Sequence, residues 1–415
     1  MSSPVSHTEK EAPHTPWLRI IGLGEEGVEG LSPAARALVG QAELVVGGDR
    51  HLALVDPLIR GRRLRWASPL AETLPQLWAW RGRPVVVLAS GDPFFFGVGS
   101  TLRPHLEVGE WHCLPHVSSV ALAAARLGWA QQDCPVVSLT GRPLEGLRPF
   151  LQPGRGLFVL CADGQTPARV ARALSDWGLG ETAMTVLEAL GGPRERVRAT
   201  TARGFDLADV DPLNLLALEV RSGPGARILP RAPGLPDDWF EHDGQITKRE
   251  VRALTLSSLS PWAGELLWDV GCGSGSVSIE WLLAHPANRA IALESHPERA
   301  ARAVRNAADL GVPRLEVRRG RAPEGLEDLP APDAVFLGGG ARDAAVIERC
   351  WEALRPGGRL VANVVVVETQ QVVLEAWQRL GGSLTRLSVE RLDRVGGLHA
   401  FRPAMPVLQW VVEKG

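Results

Sequence analysis

The chain contains no tyrosine, only three lysines (Lys10, Lys248 and Lys414), three methionines and five cysteines among 415 residues. Arginine therefore supplies almost all the positive charge, and its positions form no basic stripe. With a net charge of −2, the protein lacks the surface needed to track nucleic-acid phosphates, so no nucleic-acid partner is expected. The cysteines (Cys113, Cys134, Cys161, Cys272 and Cys350) are scattered and odd in number. No pair has metal-ligand spacing, which argues against a disulfide framework and against a metal site and fits a reducing cytoplasm. No run approaches the roughly 18 uninterrupted apolar residues of a membrane helix. The segment 1–16 is polar, lacks the apolar stretch of a signal peptide and reads as a disordered tail. These absences together predict a soluble cytoplasmic protein.

Apolar residues make up 45% and charged residues 22%, enough apolar mass for more than one core, and the length suggests two or three domains. In the first half, strands are expected at Trp17 to Ile21, Leu44 to Val46, Pro84 to Ala89, Val136 to Leu139, Gly156 to Leu160, Thr185 to Leu187 and Leu215 to Glu219. A turn is expected at Gly22-Leu23-Gly24. Helical spacing occupies Leu31 to Val39, after a Ser32-Pro33 start, and Val117 to Leu127. Residues 221–236 read RSGPGARILPRAPGLP, whose four prolines and three glycines cannot sustain helix or sheet and so form a linker. Beyond it a second α/β pattern has strands at Glu265 to Val270, Ala290 to Glu294, Leu315 to Arg318, Ala334 to Leu337 and Arg359 to Val365. The halves show no internal repeat. Strands alternating with helices give an α/β protein of two unlike domains, 17–220 and 237–415.

The run LLWDVGCGSGSVSIEWLLA carries the strongest chemical signal. Asp269 lies at the end of a strand, Gly271, Cys272, Gly273, Ser274 and Gly275 make the turn, and a helix follows. Glycines allow a sharp turn and close approach to a ligand, and the helix N-terminus offers free amides to a carboxylate. Glu294, 19 residues after Gly275, ends the next strand, where a carboxylate can accept both hydroxyls of a ribose. Nicotinamide-binding turns read G-x-G-x-x-G, whereas this one reads G-x-G-x-G.

That turn resembles the class I S-adenosylmethionine methyltransferases, whose turn holds the methionine moiety of the donor and whose second-strand acid holds the ribose. WFEHDGQITKREVRAL (from Trp239), GRAPEG (from Gly320) and Phe336-Leu337-Gly338-Gly339-Gly340 narrow the likeness to the CbiT family. Its members methylate carbon 15 of a corrin precursor and remove carbon dioxide from the ring C acetate; the outline is also similar to transfer-RNA adenine methyltransferases. The resemblance implies a Rossmann-like fold and adds Thr247 and the backbone near Ala322 to the donor site. Taken alone, Thr247 also reads as a helix N-cap. The glycine floor at 338–340 leaves room for a broad flat ring and offers no group to deprotonate an amine, so the nucleophile is expected to be an electron-rich carbon. His242, Asp243, Lys248 and Glu250 are the dense titratable group near the turn. One of them is expected to handle the decarboxylation proton, the alternative being a solvated helix start.

The first half resembles the CbiE family of tetrapyrrole (class III) methylases, a two-lobed fold, through IIGLGEEGVEGLSPAAR (from Ile20), LASGDPFFFGVG (from Leu88), VSSVALAAARLG (from Val117), SLTGRP, DGQTPARVARAL and LGGPRERV. The likeness runs from Trp17 to Val220. It implies a second donor site at Gly22, Gly24, Gly91, Asp92, Pro93 and Gly97, with Asp92 open to either a capping or a chemical role. Thr140 stands where the family commonly has histidine, and Phe96 where tyrosine is frequent. The two resemblances imply one S-adenosylmethionine per domain, a polycarboxylated precorrin held by arginine pairs, methylation at carbons 5 and 15, and a homo-oligomer. An RNA methyltransferase and a non-enzymatic donor-binding regulator are the alternatives.

Overall fold

Short β-rich runs, many of them followed by a helix, build three main sheets in the structure, a computed structural model that describes residues 16–415. The expected tail lies outside the described residues except for Pro16. The chain separates into two compact units, one of residues up to Arg142 plus Pro153–Arg227, the other of Pro143–Gln152 plus Ile228–Gly415.

The first unit starts with β1 (Leu18–Leu23), α1 (Pro33–Gln41), β2 (Leu44–Gly47), α2 (Asp49–Leu54), β3 (Arg62–Arg65), α3 (Leu74–Trp78), β4 (Val85–Ser90), α4 (Val98–Leu102) and β5 (Trp111–Leu114). These strands pair in parallel in the order β3-β2-β4-β1-β5. Gly22 and Leu23, expected in a turn, are the last two residues of β1, because β4 continues to pair with them through Ala89 and Ser90. α1 starts as its sequence dictates: the Ser32 hydroxyl accepts the N–H of Ala35 and proline fills the first turn. The central strands are buried on both faces. Ile21, Val45, Val86 and Leu88 face one apolar cluster, and Leu18, Ile20, Val46, Val85 and Val87 face the other, as expected for a covered parallel sheet.

α5 (Ser119–Leu127) leads to a second sheet made of β6 (Val136–Ser138), β7 (Gly156–Leu160), β8 (Ala183–Glu188), β9 (Arg196–Thr201) and β10 (Asn214–Glu219), with α6 (Thr166–Asp176) after β7. Its order is β6-β7-β10-β8-β9, parallel only between β6 and β7. The edge strands β3, β5 and β9 were not evident from sequence. Their residues (RRLR, WHCL, RVRATT) are mostly exposed or half-buried and lack apolar alternation.

The second unit contains α7 (Arg249–Leu259), β11 (Leu266–Val270), α8 (Ser276–Ala284), β12 (Arg289–Glu294), α9 (Pro297–Asp309), β13 (Glu316–Arg319), β14 (Ala334–Leu337), α10 (Ala344–Ala353), β15 (Arg359–Val364), α11 (Val367–Leu380), β16 (Ser383–Leu387), β17 (Glu390–Val395), β18 (Leu398–Pro403) and β19 (Val407–Glu413). The sheet order is β13-β12-β11-β14-β15-β19-β16. The first five strands are parallel, and β19 enters antiparallel between β15 and β16. β17 and β18 form a separate exposed hairpin.

Residues 221–236 contain neither helix nor strand, yet their C-terminal part is packed as core: Leu229 and Leu235 are buried with Phe240 and Leu256. The buried carboxylate of Glu280 accepts the N–H groups of Gly234 and Leu235 and the Nε of Arg252, at 2.6, 2.9 and 2.6 Å. Proline and glycine thus exclude regular structure without excluding order, because the backbone donors find a side-chain acceptor. Among the described residues no helix is long and apolar enough to cross a membrane.

Candidate active site

β11 and β14 leave the second unit's sheet on either side of the point where strand order reverses, the place where α/β sheets open a crevice beyond their carboxyl ends. Gly271, Gly273 and Gly275 all have positive φ (76°, 57° and 75°), which non-glycine residues adopt at a cost. A Cβ on Gly271 would lie 3.1 Å from the Gly339 nitrogen, so the two glycine turns meet across this reversal. Gly338 turns the chain with φ −88° and ψ −92°.

Glu294 ends β12 as expected and is buried. Its Oε2 accepts the Gly273 N–H at 2.9 Å and its Oε1 accepts the His296 N–H at 2.8 Å. Each carboxylate oxygen has a second lone pair, so both remain able to accept a hydroxyl. Asp269 is buried one residue before the end of β11. Its Oδ2 accepts the backbone and hydroxyl of Ser278 (3.2 and 2.6 Å), while Oδ1 has no protein partner. Burial, reinforced by the nearby Glu294 charge, raises its pKa to about 6. The Cys272 thiol is buried and pushed up by the same desolvation, with Asp269 and Glu294 adding to it. The Gly320 N–H donates to the Glu294 carbonyl at 3.0 Å, which ties the start of the loop containing Ala322 to the end of β12. An orphan carboxylate oxygen, positive-φ glycines and a half-free acid match a small polar ligand with amine and hydroxyl groups.

The residues before α7 divide. His242 and Asp243 lie in a loop held against the donor turn: Asn306 Oδ1 accepts the Glu241 N–H at 2.8 Å, and its Nδ2 donates to the carbonyls of Glu241 and Ser274 at 3.0 and 2.9 Å. Asp243 is engaged by Arg299 (2.8 Å) and Arg302 (3.4 Å). The Arg299 hydrogen bond, the Gln245 N–H and Arg302 pull its pKa down to about 2. His242 Nδ1 accepts the Gly244 N–H at 3.0 Å, which leaves the ring hydrogen on Nε2. Glu250 pairs with Arg391 on β17. Its pKa is lowered: burial opposes the shift, but a backbone N–H and Arg391 outweigh it. The N-cap of α7 is Lys248, whose side chain makes no capping bond, so Thr247 is not the cap. The Arg252 guanidinium, buried beneath, donates to the Thr247 carbonyl (2.5 Å) and anchors the turn to Asp237 and Glu280.

In the first unit the ends of β1 and β4 converge on the loop entering α5. Gly91 (φ 51°) donates its N–H to the Leu23 carbonyl, and its own carbonyl accepts the His116 N–H, both at 3.0 Å. A Cβ on Gly22 would lie 1.9 Å from the Gly91 oxygen. Gly24 and Gly97 are closed in similarly, by the Glu26 carboxylate and the Pro93 carbonyl. Asp92 Oδ1 accepts the Phe94 N–H at 2.8 Å, which makes it a local cap. Pro93 is buried, whereas Phe94, Phe95 and Phe96 are exposed, and Arg142 stacks on Phe96 with 5.2 Å to the ring centroid. Thr140, two residues before Arg142, is exposed.

Precorrin-6Y C(5,15)-methyltransferase (decarboxylating) from a Sinorhizobium species is 53% identical over 401 residues, which cover 97% of this chain and 97% of that one. This chain belongs to the precorrin-6Y C(5,15)-methyltransferase (decarboxylating) family. The family's member in Mycobacterium tuberculosis strain CDC 1551 / Oshkosh is 40% identical over 401 residues, 95% of this chain and 99% of its own. Family models described as tetrapyrrole (corrin/porphyrin) methylases and as a precorrin methyltransferase domain match residues 18–206 and 238–414. The crystal structure of the C-terminal domain of precorrin-6Y C5,15-methyltransferase from Rhodobacter capsulatus covers 45% of this chain and 100% of its own at 43% identity, with a TM-score of 0.43. The family is one of S-adenosylmethionine-dependent methyltransferases, and its two halves differ in fold, a tetrapyrrole methylase and a Rossmann-like domain.

Asn306, Arg252 and Glu280 escaped the sequence reading. Each works through a partner 15 to 65 residues away, and no local motif marks a buried amide or ion pair. The only sequence signal is a polar residue on the apolar stripe of its helix, visible for Glu280 within SVSIEWLLA.

Proposed function

We infer that the chain methylates a precorrin at carbons 5 and 15 and removes carbon dioxide from the ring C acetate, a step in cobalamin biosynthesis. Residues 17–220 act at carbon 5 and residues 237–415 at carbon 15 with decarboxylation. The observation that carries this reading is the presence of two glycine-lined strand ends of different architecture, Gly22/Gly91 and Gly271/Gly339, within one polypeptide of this family.

S-Adenosylmethionine supplies a methyl group already activated by its sulfonium charge, and each domain takes one molecule. In the C-terminal domain the close approach that Gly271 to Gly275 permit and the orphan Asp269 oxygen suit the methionine end, and Glu294 accepts the ribose hydroxyls, with Thr247, Cys272, Ser274 and the Ala322 loop completing the wall. In the N-terminal domain Gly22, Gly24, Gly91, Asp92, Pro93 and Gly97 form the corresponding wall, and exposed Phe94 to Phe96 offer an apolar face to a flat ring. The protein's work is alignment and exclusion of water. Loss of carbon dioxide leaves an electron pair that the conjugated ring absorbs, and a proton must then replace the carboxylate. As an imidazolium, which requires its Nδ1 to release the Gly244 N–H, His242 fits this task better than Asp243 or Glu250, whose carboxylates are held ionised by arginines; Lys248 remains the second candidate. The enzyme works in the reducing cytoplasm as a homo-oligomer.

The test is incubation of the full chain with the reduced precorrin and labelled donor, read by mass. Two methyl groups gained and one carbon dioxide lost support the reading; one methyl group, or none with a normal donor affinity, overturns it.

A further inference from the structure

Beyond the donor turn, the side of the crevice above β14 and β15 carries an unusual combination. Val366 and Val367, at the start of α11, are 50% and 75% exposed. α11 and β15 both pack beside the 3-10 turn Gly339–Arg342 that follows β14. Within that turn Ala341 is fully buried while Arg342 is exposed. Arg342 makes no ion pair and no side-chain hydrogen bond among the described residues, and the following Asp343 is committed to the Ala345 N–H at 2.9 Å. By contrast, Arg355, Arg359, Arg379 and Arg391 each hold a carboxylate of this unit. Glycines at 338–340 keep side chains off the floor between these features, and Gly339 touches the donor turn at Gly271.

An apolar ledge, a bare floor and one uncommitted guanidinium suit a flat apolar ring with carboxylates on its rim. We propose that Arg342 is the residue that anchors a retained side-chain carboxylate of the macrocycle in the C-terminal domain, with Val366 and Val367 as the ledge on which the ring lies; this rests on the reaction inferred above. The anchored carboxylate is one that stays on the product. A guanidinium on the departing carboxylate would stabilise the ground state and slow its loss. Arg342 is thus a positioning residue, and its guanidinium fork fits a carboxylate in two-point fashion.

The experiment compares the full-length wild type with Arg342→Ala, Arg342→Lys and Val367→Asp, all at exposed positions. Carbon dioxide release is followed against macrocycle concentration, and binding of the same reduced precorrin is followed by absorbance titration without donor. The expected result for Arg342→Ala is a KM for the macrocycle raised about tenfold, the loss of one charge-assisted contact, with kcat and the KM for S-adenosylmethionine unchanged. Lysine restores part of the loss, and Val367→Asp weakens binding by apolar loss and like-charge repulsion. Unchanged macrocycle binding in Arg342→Ala, or a loss confined to kcat, overturns the proposal. If the wild type releases no carbon dioxide yet Arg342→Ala and Val367→Asp weaken one binding site, the anchor stands and the inferred reaction fails.

Discussion

Asn306 on α9 donates to the Ser274 carbonyl at 2.9 Å from a buried position. The same amide brackets the Glu241 backbone through both its oxygen and its nitrogen. One side chain therefore ties the donor turn to the loop that carries His242. Asn306→Ala removes the partner of three backbone groups, of which the Ser274 carbonyl is buried. The expected cost is about 1–3 kcal/mol of stability and weaker donor binding to the C-terminal domain only. Urea unfolding and calorimetry check both; an unchanged donor affinity would show that the tie is merely structural.

Gly22→Ala places a methyl group where the Gly91 carbonyl oxygen stands, 1.9 Å away. Neither partner is a flexible side-chain end, so backbone must shift, at about 1–3 kcal/mol. Methylation at carbon 5 should be lost while carbon dioxide release continues. Mass analysis of the product separates the two, and simultaneous loss of both would contradict independent sites.

Asp269 has a folded-state pKa of about 6 against an ordinary value of 3.8, chiefly through burial and secondarily through Glu294. The folded chain then binds more protons than the unfolded chain between about pH 4 and pH 6. Stability from the protonated form is complete below about pH 4 and declines as pH rises through about 6, by an amount on the order of 3 kcal/mol. Asp269→Asn should flatten this slope, which urea midpoints measured across the window reveal. A variant with the wild-type slope would assign it to other groups.

His242→Ala should slow carbon dioxide release by roughly a hundredfold, the usual contribution of a positioned acid, while methyl transfer at carbon 5 proceeds. Asp243→Asn should leave decarboxylation within about twofold, since a carboxyl with its pKa pulled down to about 2 carries no proton to give near neutral pH. Labelled carbon dioxide counted against labelled methyl gives the ratio directly. The reverse pattern would move the proton source to Asp243.

Local chemistry was legible wherever a few adjacent residues dictate one backbone path. Gly271 to Gly275 needs positive φ, Ser32-Pro33 starts a helix, and Glu294 falls at a strand end because its spacing places it there. Edge strands such as β3 and β9 were not legible, because strands with little burial need no apolar alternation. Thr247 reads as a cap because local patterns leave a helix start uncertain by a residue, and α7 begins at Arg249 with Lys248 in the cap position.

From the linear chain alone came the two α/β halves, the glycine turns that admit a ligand and the acid beside one of them, since φ preference and apolar period act over a few residues. Folding in three dimensions added which carboxylates are silenced by arginine, which imidazole nitrogen keeps its hydrogen, and that Gly271 abuts Gly339. Those outcomes depend on distances between residues far apart in the chain, and Coulomb and hydrogen-bond energies are fixed by such distances.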